Sequence, residues 1–408
     1  MHVSINKPND LIIVGGGPAG VFAAIWAKTV HPQSSVLILE KSSNLLTKVR
    51  MSGGGRCNLT NAHLNSKTAS RFYPRGSQEL IGPLTRWSSS DTIEWFISKG
   101  VSLKTEEEGR VFPTSDQSQT IVNCLLSQLA SLKIETRFGC EIQTISKERD
   151  LFSLKVNAGE TLFCRKLILA TGSSKEGYRW AEDLGHTIIP PIPSLFTFNI
   201  SSFTLKELSG IAVNPVELRI DGTAHTERGS LMIAHFGFSG PAILKLSAFQ
   251  ARYLHDQNIQ ADLIVNWLPD QSENEIYDIL CKIKTEVPQQ NMISNNPFSL
   301  PKSLWKVLLN DRLEKRLRDF PLKELGALAS RLHSDRYRIA GKTAHKEEFV
   351  TCGGVERREI NFKTMESKIN TNLFFAGELI DIDGITGGFN LQNGWTTGFL
   401  AGMNSLNN

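Results

Sequence analysis

The sequence predicts an α/β fold in which a Rossmann-like domain, built from both ends of the chain, is interrupted by an insert of a small β-barrel and a helical bundle. Three observations predict it. Near the N-terminus a short continuous apolar run, Leu11 to Val14, meets the turn Gly15-Gly16-Gly17-Pro18-Ala19-Gly20 and then an Ala-rich apolar stretch. In the middle, the proline-rich segment 190–193 gives way first to alternating apolar and polar residues and then to helical periodicity. Beyond residue 350 a glycine-rich character returns, as expected of a chain re-entering its first domain.

Each element follows from its own pattern. The run Leu11–Val14 is that of a strand buried on both faces, the stretch 21–28 suits a buried helix, and Val36–Leu39 is a second buried strand ending in Glu40, which completes a βαβ unit. Residues 86–100 read as an amphipathic helix capped by Ser90 or Asp91 and stopped by Gly100. Short β-like runs at 134–138, 152–156 and 162–170 form a meander ending in Ala170-Thr171-Gly172. The domains expected are 1–190 for the first part, 191–349 for the insert and 350–408 for the second part. Within the insert, the barrel covers about 195–265, with Asp221-Gly222 as a hairpin turn. The bundle covers about 270–340, with a capping box at Ser272 and Glu275 and a second helix carrying Leu304, Leu308, Leu313 and Leu317.

Composition bounds the function. At 408 residues the chain exceeds one typical domain of about 100–200 residues. Hydrophobic residues at 40% and charged residues at 21% are ordinary globular values and exclude a disordered or fibrous chain. The 45 Lys and Arg against 41 Asp and Glu give +4, spread along the sequence with no basic arm, so no nucleic-acid partner is expected. Six cysteines without a CxxC pair, and scattered histidines, give neither a redox disulfide nor a metal site. The first apolar run is only four residues long, so neither a membrane span nor a secretory segment is expected, and a reducing cytoplasm fits. Composition is silent on oligomeric state.

The chemistry concentrates in motifs. In Gly15-x-Gly17-x-x-Gly20 the glycines allow a tight turn, close backbone approach to a pyrophosphate and intimate helix–strand packing, with Pro18 and Ala19 opening the helix. Exposed N–H groups and the positive end of the helix dipole bind the anion there. Glu40, beside Lys41, would accept hydrogen bonds from adenosine ribose hydroxyls and disfavour a 2′-phosphate, so FAD or NAD fits better than NADP. The string Ser52-Gly53-Gly54-Gly55-Arg56-Cys57-Asn58 holds three successive glycines that are costly to order; either something approaches that backbone closely or the segment is an ordinary flexible loop.

Lys48-x-x-x-Ser52-Gly-Gly-Gly-Arg-Cys-Asn-Leu-Thr-Asn61, with Gly109-Arg-Val-Phe-Pro113, His235-Phe-Gly-Phe-Ser-Gly-Pro241 and the C-terminal run, resembles a bacterial family of NAD(P)/FAD-dependent oxidoreductases. Some of its members are described as aminoacetone-oxidase-like and some are similar to bile-acid-inducible flavin reductases. The resemblance covers nearly the whole chain. It implies a two-part FAD domain like that of glutathione-reductase and fumarate-reductase flavoproteins, interrupted by a barrel-plus-helices insert. It further implies that 48–58 lies along the flavin, that Ile142 offers its backbone to adenine, and that Ala170, Thr171 and Gly172 sit beside the cofactor. Gly377 and Glu378 resemble the segment whose acid binds ribityl hydroxyls. Gly387, Gly388, Asn390 and Leu391 would start a last helix whose N–H groups face the flavin N1/C2=O edge and stabilise the reduced cofactor. One departure is the abbreviated segment Ala170–Tyr178, which resembles a wall of the flavin site, so substrate preference does not carry over.

Two candidates remain for catalysis. Arg56 would orient an acidic or carbonyl substrate or stabilise the reduced flavin. His235 would protonate substrate opposite hydride delivery, with a satisfied structural histidine as the alternative. Cys57 reads as a packing residue. The expected function is FAD-dependent hydride transfer, with NAD(P)H as reductant, flavin N5 as relay and a small or lipid-like molecule as substrate. The sequence lacks a second G-x-G-x-x-G for a separate nicotinamide domain. A flavin oxidase using oxygen, and a non-catalytic FAD-binding redox sensor, stay open.

Overall fold

The computed structural model describes residues 7–310, 315–343 and 350–407. Two compact units divide the chain, one from Met1–Ile192 with Val350–Asn408 and the other from Pro193–Phe349.

The first unit is organised by a parallel sheet whose strands run in the order Leu373–Phe375, Thr161–Leu169, Asn9–Val14, Val36–Leu39, Glu135–Arg137. Register places Ile13 between Ile38 and Ile168, so the central strand is covered on both edges and its apolar run is buried on both faces. The meander differs from the expected one in its first strand: it runs Ile142–Glu148, Leu151–Val156 and Thr161–Leu169, the last joining the parallel sheet, whereas the run at 134–138 is the parallel edge strand Glu135–Arg137 beside Val36–Leu39. The first helix spans Pro18–Val30, longer than its apolar stretch, because Pro18 occupies the first helical position, where a missing N–H is harmless.

The last helix, Phe389–Ser405, packs directly on the first. A Cβ at Gly398 would lie 2.5 Å from the Ala19 carbonyl oxygen, and one at Gly402 would lie 2.3 Å from that of Ala23. Glycines four residues apart therefore let two helix backbones touch, which brings the two ends of the sequence into one body. Around that contact Phe22, Trp87, Trp95 and Trp395 form edge-on pairs, Phe22 to Trp395 at 5.4 Å, each contributing about 0.5–1.5 kcal/mol beyond its burial. Trp95 and Phe96 come from helix Ser89–Ser98. Its cap is Ser88, not Ser90 or Asp91; Asp91 is the third helical residue and its carboxylate accepts the Ser88 N–H at 2.7 Å, closing a capping box.

The second unit is a closed six-stranded barrel in the order Phe198–Ile200, Gly237–Ser239, Thr226–Ala234, Ala212–Ile220, Asp262–Asn266, Asp335–Lys342. Asp221-Gly222 stands at the expected hairpin, and Ser272 and Glu275 form the expected capping box of helix Glu273–Glu286. Helices Lys302–Leu309 and Leu322–His333 follow, and Leu304 and Leu308 are buried on the first of these. Leu313 lies outside the described residues, and Leu317 sits in a short 3-10 turn. The strand Asp335–Lys342 differs from the helical reading of that stretch. Its alternation of buried Asp335, Tyr337 and Ile339 with exposed Arg336 and Arg338 has the period of two that a barrel wall requires. Among the described residues no helix is long and apolar enough to cross a membrane.

Candidate functional site

At the carboxyl ends of the parallel strands lies a cavity of about 340 Å³, lined among others by Val14, Gly15, Glu40, Ile142, Thr171 and Trp180. This is where open α/β sheets bind ligands. Gly15 has φ +108°, and a Cβ there would sit 2.5 Å from the Ala170 carbonyl oxygen; Gly20 is tighter still, at 2.0 Å from the Gly15 oxygen. Gly17 differs: a Cβ would meet nothing within 4 Å. It caps the first helix without a side-chain bond, so the N–H groups of the turn and of Ala19 and Gly20 are the positive end of that helix.

Glu40 steadies this turn. One carboxylate oxygen accepts the Gly16 N–H and the other the Ser42 N–H, both at 2.8 Å, and lone pairs remain for a ligand hydroxyl. Lys41 reaches Glu176 at 3.6 Å across the cavity mouth. Two buried polar atoms of residues lining the cavity have no protein partner, the Thr171 hydroxyl and the Trp180 indole N–H; elsewhere in the first unit the same holds for the Tyr178 hydroxyl and the Asn393 side-chain oxygen. Burial holds the Tyr178 hydroxyl neutral by raising its pKa. An unpartnered buried polar group is costly, so a cavity whose wall holds two of them fits a polar ligand better than a dry packed core.

A second cluster joins the other motif residues. Lys48 pairs with Glu378 and donates to the Ser173 hydroxyl at 3.3 Å, while Glu378 also accepts the Thr351 N–H at 3.1 Å. Gly172, at φ +61°, lies beside this pair. Gly377, at φ +74°, donates its N–H to the Thr397 hydroxyl at 2.9 Å, which ties the turn to the last helix. Ser52 donates to the Val49 carbonyl at 2.9 Å and opens a 3-10 turn in which Gly53, Gly54 and Gly55 have φ of 60°, 68° and 85°. The Asn58 carboxamide, oriented so that both ends are satisfied, accepts the Gly388 N–H at 3.1 Å and donates to the Thr60 carbonyl at 3.2 Å. Gly387 accepts from the Asn61 amide at 3.2 Å. Asn390 brackets Gly384 with two bonds of 2.8 Å, and Leu391 lies half-buried in the helix's first turn. The triple-glycine turn and the N-terminus of the last helix are thus stitched together through Asn58 and Asn61.

Arg56 does not stand free. Its guanidinium donates to Glu106 at 2.8 Å and to Asp116 at 3.1 Å and lies 3.9 Å from the centre of the Phe112 ring. The hydrogen bond from Arg56 holds Glu106 below the usual carboxylate range, and that from Lys104 does the same for Asp116. Cys57 is buried, and burial pushes its thiol up to about 12, so it is inert at neutral pH. His235 is exposed in the turn between two barrel strands of the second unit. Among the described residues no group of three or more His, Cys, Asp or Glu side chains is placed to hold a metal ion.

Two arginine clamps were not among the residues that sequence reasoning singled out. Arg75 grips the fully buried Asp383 through two guanidinium nitrogens, and Arg357 lies 3.5 Å from the buried Asp381. Both acids precede the glycines of the last helix. The only sequence signal was the pair Asp381-x-Asp383 in an otherwise apolar stretch, which requires buried counter-charges.

A split Rossmann domain, with a nucleotide-sized cavity at its strand ends and a glycine turn stitched to the last helix, defines an FAD-dependent flavoprotein of the oxidoreductase class. The chain belongs to the family described as HI0933-like protein Rossmann domain, which matches residues 9–404. It is similar to the ribosomal RNA dihydrouridine synthase of Escherichia coli, with 29% identity over 97% of this chain and 98% of that protein. It is also similar to the 3-dehydro-bile acid delta(4,6)-reductase of Clostridium scindens, with 27% identity over 97% of this chain and 98% of that protein. Among solved structures, a 3-ketosteroid-delta4-(5alpha)-dehydrogenase from Rhodococcus jostii matches with a TM-score of 0.52 over 100% of this chain and 99% of that one. At 14% identity that likeness is one of fold.

Proposed function

We propose that the protein is an FAD-dependent reductase that adds a hydride and a proton across a carbon–carbon double bond conjugated to a carbonyl, with the uracil ring of RNA as its substrate class. The observation that carries the reductase is the glycine turn. At Gly54 and Gly55 a Cβ would meet nothing within 4 Å although both residues sit at positive φ, so a bare backbone face stands open beside the helix that Asn58 clasps. Such a face suits a flat ring laid against it. The substrate class is favoured by what two full-length relatives share. One is named for making dihydrouridine in ribosomal RNA and the other for reducing unsaturated bile acids, and both names describe saturation of a conjugated double bond.

In this reading Gly15, Gly17, Pro18, Ala19 and Gly20 hold the FAD pyrophosphate, Glu40 and Lys41 the adenosine ribose, and the Ile142 backbone the adenine. Ala170, Thr171, Gly172, Lys48, Gly377 and Glu378 line the ribityl chain. Ser52, Gly53, Gly54, Gly55 and Asn58 lie along the ring system, whose N1/C2=O edge meets the helix start at Gly387, Gly388, Asn390 and Leu391. FAD held here, once reduced by NADH or NADPH, would supply the hydride; with no second dinucleotide fingerprint in the sequence, the nicotinamide would meet it transiently. Arg56, committed to Glu106 and Asp116, fixes the shape of the turn.

The test is anaerobic. The yellow protein is mixed with NADH or NADPH, the flavin absorbance is followed, and an unmodified ribosomal RNA transcript is then added and digested for mass analysis of its nucleosides. Bleaching followed by dihydrouridine is the expected result. Failure to bleach with either nicotinamide removes the reductase, and turnover of a bile-acid dienone with no change in the RNA removes the uracil ring as substrate.

A further inference from the structure

The chain's net charge is only +4, yet five cationic side chains line one concavity of about 590 Å³ in the first unit, against a single carboxylate, Glu79. They come from two places far apart in sequence. Arg86 ends the helix Ile81–Arg86, whereas Arg357, Arg358, Lys363 and Lys368 come from the turns around the strands Ile360–Asn361 and Glu366–Ser367. Two of the five are engaged. Arg357 lies between Glu79 at 3.6 Å and Asp381 at 3.5 Å, and Lys368 donates to the Arg358 carbonyl at 2.8 Å. The side chains of Arg86, Arg358 and Lys363 are exposed and have no ion-pair or hydrogen-bond partner among the described residues. Phe362, half-buried, stands in the same wall.

Three unneutralised cations around a hollow repel one another, and that arrangement is relieved by an anion carrying several charges. An aromatic ring among them adds a stacking platform, the combination that single-stranded nucleic acid uses: phosphates on cations, a base on a ring. We propose that this groove docks a single-stranded segment of RNA, with phosphates held by Arg86, Arg358 and Lys363 and a base on Phe362. The choice of RNA rests on the uracil-reductase reading above. The groove is also joined to the cradle, because Arg357 at its floor clamps Asp381, eight residues before Phe389 begins the last helix.

The test uses the FAD-loaded full chain and a fluorescein-labelled single-stranded oligouridylate of about 12 nucleotides, within the span of single-strand sites. Anisotropy titrations at several salt concentrations compare the wild type with the triple variant Arg86→Gln, Arg358→Gln, Lys363→Gln; flavin absorbance and melting temperature serve as the check on folding. Loss of three phosphate contacts lowers the slope of log affinity against log salt by about 2, at about 0.7 per contact for single strands. Phe362→Ala weakens binding without changing that slope. Wild-type affinity and slope in the folded triple variant overturn the groove, as does a wild-type chain that ignores the probe. So does a triple variant that binds RNA normally but is no longer bleached by NADPH, since the groove would then serve the nicotinamide phosphates. If the triple variant loses the probe but the wild type makes no dihydrouridine, the groove stands and the uracil-reductase reading falls.

Discussion

The two glycine turns of the first unit look alike in sequence and are held by opposite causes. Around Gly15–Gly20 neighbours demand glycine at both ends of the motif, though not at Gly17: a Cβ at Gly20 would stand 2.0 Å from a backbone oxygen, and one at Gly15 would stand 2.5 Å from another. Around Gly53–Gly55 they are demanded by conformation, since all three sit at positive φ while Gly54 and Gly55 have open space where a side chain would be. The first turn is shaped by the protein's own packing. The second is shaped to leave room, which is what a ligand-facing backbone needs.

The sharpest way to break this contrast is Gly20→Ala. The new methyl would press on the Gly15 carbonyl, which is backbone, and on the Ala170 Cβ, so we expect a loss of about 3 kcal/mol or more, seen as poor soluble yield and a colourless product. Glu40→Gln comes next. It replaces a charged acceptor of two backbone N–H groups at the rim of the first turn, and a fall in FAD affinity of about 2 kcal/mol, some thirtyfold, is expected by equilibrium titration. Gly54→Ala should cost only the left-handed strain of about 1–2 kcal/mol in the melting curve, with no clash. A loss of FAD affinity larger than its loss of stability would show that the open face touches the flavin; equal losses would make the turn purely structural.

The smallest effect lies outside both turns and calibrates the stability scale. His186 is buried between Glu359 at 3.1 Å and Ser367 at 2.9 Å, and burial lowers its pKa below the ordinary 6.5. The fold therefore holds it neutral while the unfolded chain protonates at about 6.5. Its contribution is full above that pH and is lost as the pH falls from there toward the lowered folded value. The melting temperature of the wild type should drop over this window, and His186→Gln should flatten the drop.

Much of this architecture was legible because its signals are local. A strand, a glycine turn and a helix at 11–28 announce themselves within a few residues, as do the capping box at Ser272 and the hairpin at Asp221-Gly222. The barrel strand Asp335–Lys342 is equally local, with its alternation written out, but it directly follows three helices whose period of about 3.6 ends only at its first residue. The helix Ser89–Ser98 teaches the same lesson at finer scale: Ser88, two or three residues upstream of the expected cap, wins because Asp91 can answer it from the third position.

What stayed hidden depends on residues far apart in the chain. Arg75 with Asp383, Arg357 with Asp381, and Arg56 with Glu106 and Asp116 are pairs that no short window contains, and they decide which cations are spent on structure. Arg56, expected to orient a substrate or stabilise the reduced flavin, is the clearest case, since its two carboxylate partners lie 50 and 60 residues away in the chain. Charge that is evenly scattered along the sequence looked like evidence against a polyanionic partner, yet folding places Arg86 beside Arg358 and Lys363.

The sequence by itself determined the dinucleotide cradle, because glycines, a helix start and an acid at the next strand end act over a distance that the covalent chain fixes. It also determined that the chain's two ends belong together, through glycine-rich segments that packing or conformation requires at each. Only the tertiary structure decided which charges meet, which polar atoms are left for a ligand and which backbone faces stay open. Those outcomes depend on the separation of groups in space, and electrostatics and excluded volume act through that separation alone.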